Sequence, residues 1–461
     1  MMNWINCISA KRTGKATQPT SIRSDYQRDY DRLIFSSAFR RLQNKTQVFP
    51  LPGSSSFVHN RLTHSLEVAS VGRSLGSIIG EKLAGKVSDK NQDAAHFYSH
   101  NLKGVIGAAC LAHDVGNPAF GHSGEKAISN YFIENHTSTV NDGASLKSYF
   151  TEAEWSDLTN FEGNANALRL LTHKFEGKMA GGIGLTYTTL ASILKYPCAS
   201  VSVSKSQVHT KKYGYFQSEK NVFEAIANDT NMSLESSDPL VYKRHPFVYL
   251  VEAADDICYR IVDLEDAHRI KILSRDQIEY ELLALISEVN HNADNIDKIK
   301  GTLLQIKDNN EAVAYLRAKS INSMVMECAY IFSERMNEII NGSYTSTLVD
   351  EIEDRCQSLH QIKKLSIARI YNHHSVIKVE LAGYKVMSGL LEIFIPAILS
   401  TKPSAIQSGS LQLIPNQFLY QTDNPYERVM GVIDFVSGMT DDYAMELYRN
   451  IMGISIPPHT A

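Results

Sequence analysis

The chain has 461 residues, 43% hydrophobic and 21% charged, with a formal net charge of −4. That is ordinary globular composition, enough for a large buried core and for about two to four domains. The slight acidity excludes a general attraction to nucleic acid or anionic membrane, so any polyanion must be held by a local basic cluster.

Residues 1–24 are polar and basic and read as irregular. Residues 25–44 read as helical, with Leu33, Ile34, Ala38, Phe39 and Leu42 near a 3.6-residue period. A Pro/Gly/Ser loop follows at 49–56. A long amphipathic helix is predicted over 61–84, and a second over 101–114. The next resumes at 123–135 with Ser123 as its cap. Residues 141–158 are loop-like. Asn160 is placed to cap a helix over 161–175, and another spans 185–195, stopped by Pro197. The Ser/Val/Thr/Tyr stretch 199–215 reads as a small β-hairpin or an ordered loop. Helices follow at 218–229 and 246–269, the latter with Pro246 in its first turn. Further amphipathic helices are predicted over 275–290, 293–307, 311–341, 347–371, 375–400 and 425–452. There are no repeats and no alternation of strand and helix. The fold class is therefore all-α in the main, a helical core with a helical C-terminal extension and one small hairpin.

The six cysteines are scattered, with no C-x-x-C pair, and read as reduced thiols of a cytoplasmic protein. The N-terminus lacks the order of a signal peptide. The greasiest window, 390–399, contains Glu392 and Pro396 and is too short and polar to span a bilayer. No membrane association is expected.

The densest chemistry lies at 113–125, HDVGNPAFGHSGE. His113 and Asp114 end one helix, Gly116 and Pro118 break it, and His122 and Glu125 begin the next. His64 starts the helix over 61–84, one turn after Arg61. Along 246–269, Asp255, Tyr259 and Asp263 recur every four residues and share one stripe. One histidine, a His-Asp pair and a distant aspartate would make a two-imidazole, two-carboxylate metal site, suited to several divalent ions. The same residues are also compatible with structural roles. A lone histidine on an apolar face usually serves packing, and an aspartate pair can simply be solvated. His122 and Glu125, three apart, suit a carboxylate-oriented acid/base pair or a favourable charge at a helix start. Basic residues cluster at Arg40, Arg41 and Lys45, and at Lys205, Lys211 and Lys212.

Six segments together carry a family resemblance: RDYDRLIFSSAFRRLQNKTQVFP at 28–50, HNRLTHSLEV at 59–68, the 113–125 stretch, NFEGNANALRLLTH at 160–173, EAADDICYRIVDLED at 252–266 and SGMTDDYAMELYR at 437–449. Over most of its length the chain resembles the bacterial deoxyguanosine triphosphate triphosphohydrolases, within the HD-domain metallohydrolases. The resemblance implies an HD-domain catalytic core over 25–274 and a C-terminal helical region over 275–461 that packs on it and closes the substrate site. It implies His64, His113, Asp114 and Asp255 as metal ligands and His122 with Glu125 as the catalytic pair. Gln47, Arg61, Asn117, Tyr259 and Asp263 match substrate-binding positions, with Lys211 and Lys212 in a phosphate-contacting loop. Asn117 stands where the related vertebrate enzyme has a histidine.

The implied reaction converts a dNTP, dGTP first, and water to the deoxynucleoside and tripolyphosphate. It uses a divalent metal, Mg²⁺ or Mn²⁺ first, with Co²⁺, Fe²⁺, Zn²⁺ or Ni²⁺ compatible with the same donors. A homo-oligomer, commonly a hexamer, and a single-stranded DNA or nucleotide effector are also family properties. Two alternatives stand beside this: another HD phosphohydrolase acting on nucleoside monophosphates or cyclic nucleotides, and a DNA- or nucleotide-responsive regulatory protein.

Overall fold

The computed structural model describes residues 2–14, 23–50, 58–140, 143–289 and 296–455. Parts of the predicted 1–24 and 49–56 irregular segments, and the junction of the 275–290 and 293–307 helices, fall outside them.

The centre is a close pair of helices. Arg61–Val87 opens on an Asn60 capping box, in which the Asn60 side chain accepts from the Thr63 N–H. It lies against Leu102–Ala112 along Gly72, Gly76 and Gly80, spaced by four and so on one face. A Cβ at Gly72 would meet Cys110 Sγ at 2.4 Å, and one at Gly80 would meet the Tyr98 carbonyl oxygen at 2.4 Å. That close approach sets the end of one helix, at His113, near the start of the other, at His64. Val248–Arg269 packs on the same Arg61–Val87 helix, and Asn309–Glu334 packs on both. The apolar residues of this group form one buried cluster. A second is built by His122–Glu134, His374–Leu399, Pro425–Ser437 and Asp441–Ile451.

The protein is helical as expected. The one hairpin among the described residues pairs Leu234–Ser237 with Leu240–Tyr242. It does not fall in 199–215, which is an ordered loop with a single 3₁₀ turn at Ser200–Ser202. Other expectations are corrected by capping. The 25–44 segment breaks after Ile34, because the Ser36 side chain accepts from the Phe39 N–H and starts a new helix. Part of 141–158 is helical: Glu152–Thr159 starts on a Thr151/Glu154 capping box. Asn160 ends that helix, and Glu162 caps Gly163–Thr172 instead. Ser123 is not a cap; Gly121, at φ +56°, holds that position, and Ser123 Oγ donates to the Glu380 carbonyl at 2.5 Å.

The N-terminal segment 2–14 contains no helix, yet Trp4 and Cys7 are buried and Arg12 pairs with buried Asp29 at 2.6 Å. All six cysteines are free and buried. The apolar window 390–399 belongs to a helix, His374–Leu399, that is long and apolar enough by length and composition to cross a membrane. Half of its most apolar stretch is buried inside the protein, against His122–Glu134, Pro425–Ser437 and Asp441–Ile451.

Candidate active site and metal centre

A cavity of about 500 Å³ opens over the ends of these helices. Its wall includes ten of the sequence-predicted residues: Gln47, Arg61, His64, His113, Asp114, Asn117, His122, Glu125, Asp255 and Tyr259. Lys212 also lines it, whereas Lys211 is exposed and does not. Asp263 does not line it either. It lies buried behind the wall and accepts a 2.7 Å hydrogen bond from the Tyr371 hydroxyl.

The floor is a His/Asp cluster. Ligand atoms of His64, His113 and Asp114 all lie within 4.8 Å of one another. Asp255 Oδ1 stands 3.1 Å from His64 Nε2 and 3.5 Å from His113 Nε2. His113 Nδ1 donates to the Cys110 carbonyl at 2.6 Å, which turns Nε2 toward the Asp114 and Asp255 carboxylates, 3.5 Å from each. Among the described residues this buried nitrogen has no hydrogen-bond partner. Burial resists a charge on His113, yet the Asp114 and Asp255 carboxylates draw its pKa up to about 9. Burial likewise works to raise Asp255, but His113 and His64 hold it well below the usual carboxylate range. Imidazole nitrogens facing two ionised carboxylates are a donor set that fits a divalent cation, which would take the place of the proton on His113 Nε2.

Neighbouring residues orient those donors. Asp114 Oδ2 accepts from Arg61 Nη1 at 2.8 Å, and Oδ1 accepts from Asn117 Nδ2 at 2.5 Å. Arg61 sits one helical turn before His64, so one helix start supplies both a donor atom and the arginine that steadies its neighbour.

The second pair lies across a tight loop. Phe120 and Gly121 both have positive φ, 60° and 56°. A side chain at Gly121 would strike Arg61 Nη2 at 2.5 Å. His122 Nδ1 donates to Glu125 Oε2 at 2.7 Å, while Glu125 Oε1 accepts the Gly163 N–H at 2.8 Å. Burial would raise Glu125, but the His122 hydrogen bond and charge, Lys212 and the Gly163 N–H hold it below the usual range. It is therefore a carboxylate at neutral pH, and its ring partner carries the proton on Nδ1. The His122 side chain is 74% exposed, so Nε2 is free to meet a ligand.

Several wall residues, among them Glu162, Lys195, Glu252 and Tyr371, were not singled out from sequence, and they pack on ones that were. Lys195 Nζ pairs with Glu252 Oε1 at 3.2 Å, and Lys212 Nζ with Glu162 Oε2 at 2.9 Å. Tyr371 stacks on Tyr259, their ring centroids 5.3 Å apart and planes 11° from parallel. Val376, Val379 and Glu380 come from the same C-terminal half. Gln47 Oε1 is buried there with no partner among the described residues.

A mainly helical fold with paired His-Asp residues at helix ends is that of an HD-domain phosphohydrolase. The HD domain family model matches residues 61–268, and a phosphohydrolase-associated domain matches 353–450. A protein of Synechocystis sp. named deoxyguanosinetriphosphate triphosphohydrolase-like protein is 35% identical over 465 residues, covering 99% of this chain and 100% of its own. One from Pseudomonas aeruginosa with the same name is 34% identical, with 99% and 100% covered. A Yersinia enterocolitica protein named deoxyguanosinetriphosphate triphosphohydrolase is 29% identical, with 94% and 96% covered. The chain belongs to the deoxyguanosinetriphosphate triphosphohydrolase-like family of HD-domain hydrolases.

Proposed function

We propose that the protein is a metal-dependent deoxynucleoside triphosphate triphosphohydrolase, with dGTP as its first candidate substrate. The observation that carries this reading is one cavity that joins the His/Asp cluster, the His122–Glu125 pair, a tyrosine stack and the cations Arg61, Lys195 and Lys212. A triphosphate bears roughly four negative charges and is usually met by such a clamp.

In the proposed reaction a water oxygen bonds to the α-phosphorus as the bond to the 5′-oxygen breaks. The proton lost by water ends on the 5′-oxygen, giving deoxynucleoside and tripolyphosphate. A divalent cation, Mg²⁺ or Mn²⁺ first, held by His64, His113, Asp114 and Asp255 would supply Lewis acidity at the reacting phosphate. His122 exchanges the proton at Nε2, while Glu125 holds Nδ1–H and balances the imidazolium. Against burial, His113 and Arg61 hold the Asp114 carboxyl below its usual range, and Arg61 and Asn117 keep it in place. Lys212 and Lys195 answer the phosphate charge. Lys212, not exposed Lys211, is the better placed of the loop lysines.

Tyr259 stacked on Tyr371 offers a flat wall to the deoxyribose, the packing by which the site would reject a 2′-hydroxyl. Gln47 Oε1 is free to accept from a sugar hydroxyl. Asp263 acts through Tyr371 by holding its hydroxyl. Burial pushes the Asp263 carboxyl up to about 8 against the Tyr371 hydrogen bond, so it is largely protonated at neutral pH.

The same proposal includes a catalytic core over 25–274, closed by the region 275–461 through Tyr371, Val376, Val379 and Glu380. It also includes a homo-oligomer, a hexamer by resemblance, in the cytoplasm. Purified protein is to be incubated with each dNTP and NTP, with Mg²⁺, Mn²⁺ or Co²⁺, and the products resolved. Tripolyphosphate from dNTPs is expected. Orthophosphate, or no product under any condition, overturns the proposal.

A further inference from the structure

The SGMTDDYAMELYR segment lies at the far end of the chain from the chemistry, yet Asp441 is buried against the site. Its Oδ1 accepts the Phe120 N–H at 2.9 Å, and its Oδ2 accepts the Thr46 N–H at 2.8 Å. Thr46 adjoins Gln47, and Phe120 lies two residues before His122. A single carboxylate therefore ties the strand of chain that carries the sugar-facing glutamine to the loop that carries the proton-handling histidine.

A second tie crosses the first. Lys45 is buried, and its Nζ donates to the Asn117 carbonyl at 2.6 Å and the Ser437 carbonyl at 3.0 Å. Segments 45–46, 117–120 and 437–441 are thus bound pairwise. The loop needs such support because Phe120 has φ +60°, a region that side-chain-bearing residues rarely adopt. Its ring is also accommodated by a glycine: a Cβ at Gly383 would fall 2.3 Å from Phe120 Cγ.

We infer that Asp441 is a positioning residue that holds the Phe120–His122 turn, and with it the His122 imidazole, in register with Gln47. This rests on the triphosphohydrolase reading only for its kinetic consequence. The substitution Asp441→Asn is nearly isosteric, but it turns an NH₂ group toward one of the two backbone N–H donors. One tie is lost while the fold around the helix start is kept. Asp442, next in the chain and exposed, is the control position.

The test uses the full-length protein and two readouts. In hydrogen exchange, D441N should speed exchange at least about tenfold in peptides covering 43–48 and 114–122, with the remaining helices unchanged and D442N like wild type. In steady-state release of tripolyphosphate, D441N should lower kcat roughly 10- to 100-fold, the scale of an ångström-sized misplacement. It should cost less than about threefold when His122 is already alanine. A residue with a merely structural role would instead cost the same factor in both backgrounds. Unchanged exchange at both peptides, or an equal kcat loss in wild type and H122A, overturns the inference. Wild-type protein that releases no tripolyphosphate defeats the activity assignment instead, and exchange alone then decides whether the tie exists.

Discussion

Glu125→Gln isolates the proposed proton-handling pair without emptying any space. In the native site the carboxylate accepts twice, from the Gly163 N–H at 2.8 Å and from His122 Nδ1 at 2.7 Å. The amide has one acceptor and one donor. Its carbonyl stays with the Gly163 N–H, because turning the NH₂ there would leave a buried donor facing a donor, a cost of about 1–3 kcal/mol. The NH₂ then faces His122, whose Nδ1 must become the acceptor, and the ring proton moves to Nε2. The imidazole keeps its position but presents the opposite tautomer to substrate and loses the negative charge that balances its protonated form. Rate contributions of a placed acid or base run about 10²–10⁴-fold, and kcat should fall by that factor with KM changed little. Stability should change by less than ~1 kcal/mol in urea unfolding at pH 7. Glu125→Ala should cost more, since it strands the Gly163 N–H. Tripolyphosphate release, assayed from pH 5.5 to 9, gives the kinetics. If E125Q retained more than a third of the wild-type kcat across that range, the His122–Glu125 pair would not be the proton-transfer unit.

Three further outcomes are expected. Adding Mn²⁺ at about 100 times its Kd should stabilise the metal-stripped protein by about 2.7 kcal/mol, read as a rise in Tm. His113→Ala should abolish that rise, and a full rise in H113A would remove this residue from the ligand set. Gly116→Ala places a Cβ 2.0 Å from the Gly163 carbonyl oxygen and 2.2 Å from the Ala167 N, both backbone. It should destabilise by about 3 kcal/mol in denaturant unfolding, and a loss under ~1 kcal/mol would refute the close approach. His59 titrates far from its usual value. Burial lowers it, but its hydrogen bonds to the Asp266 and Glu67 carboxylates prevail and set it at about 10. Its folded pKa thus lies above the unfolded one of about 6.5. Its stabilising effect is full below pH ~6.5 and fades as pH rises through 10. Removing one partner of such a buried charge pair costs about 3 kcal/mol, so His59→Ala should lose that much at pH 6 and clearly less at pH 10.5. Equal losses at the two pH values would contradict the ion-pair account.

The His/Asp cluster was legible because its members interrupt apolar helices. A His-Asp pair at a helix end, a histidine in a first turn and aspartates at four-residue spacing each break a hydrophobic pattern. The family motifs then said which breaks belong together. The structure adds the geometry that links them, above all the glycine face 72–76–80 that brings His64 to His113. Secondary structure was misread mainly at caps, where local competition decides. Thr151 with Glu154 is a readable capping box, but the polar composition of 141–158 masked it. Asn160 and Glu162 are both plausible caps by type, and the Glu162 side chain reaches the Asn164 N–H whereas Asn160 closes the preceding helix.

The residues that stayed hidden share a different cause. Tyr371 ends a π-helical stretch, Ser366–Tyr371, whose i→i+5 bonding shifts the helical frame, so a 3.6-residue count does not show which face Tyr371 takes. It reaches the cavity from more than a hundred residues beyond Tyr259, a contact set by tertiary packing. The segment of Asp441 is one of the six family motifs, but its contact is hidden more deeply, because its partners are the backbone N–H groups of Thr46 and Phe120. Any residue but proline offers that donor, so neither segment carries a side-chain signature of the contact. The aspartate itself reads as an ordinary acidic first turn, and its neighbour Asp442 is one. Side chains that perform chemistry leave a compositional trace. Those that hold the chemistry in place by gripping backbone show no partner in the sequence, and the contact is visible only when the fold has brought the two ends of the chain together.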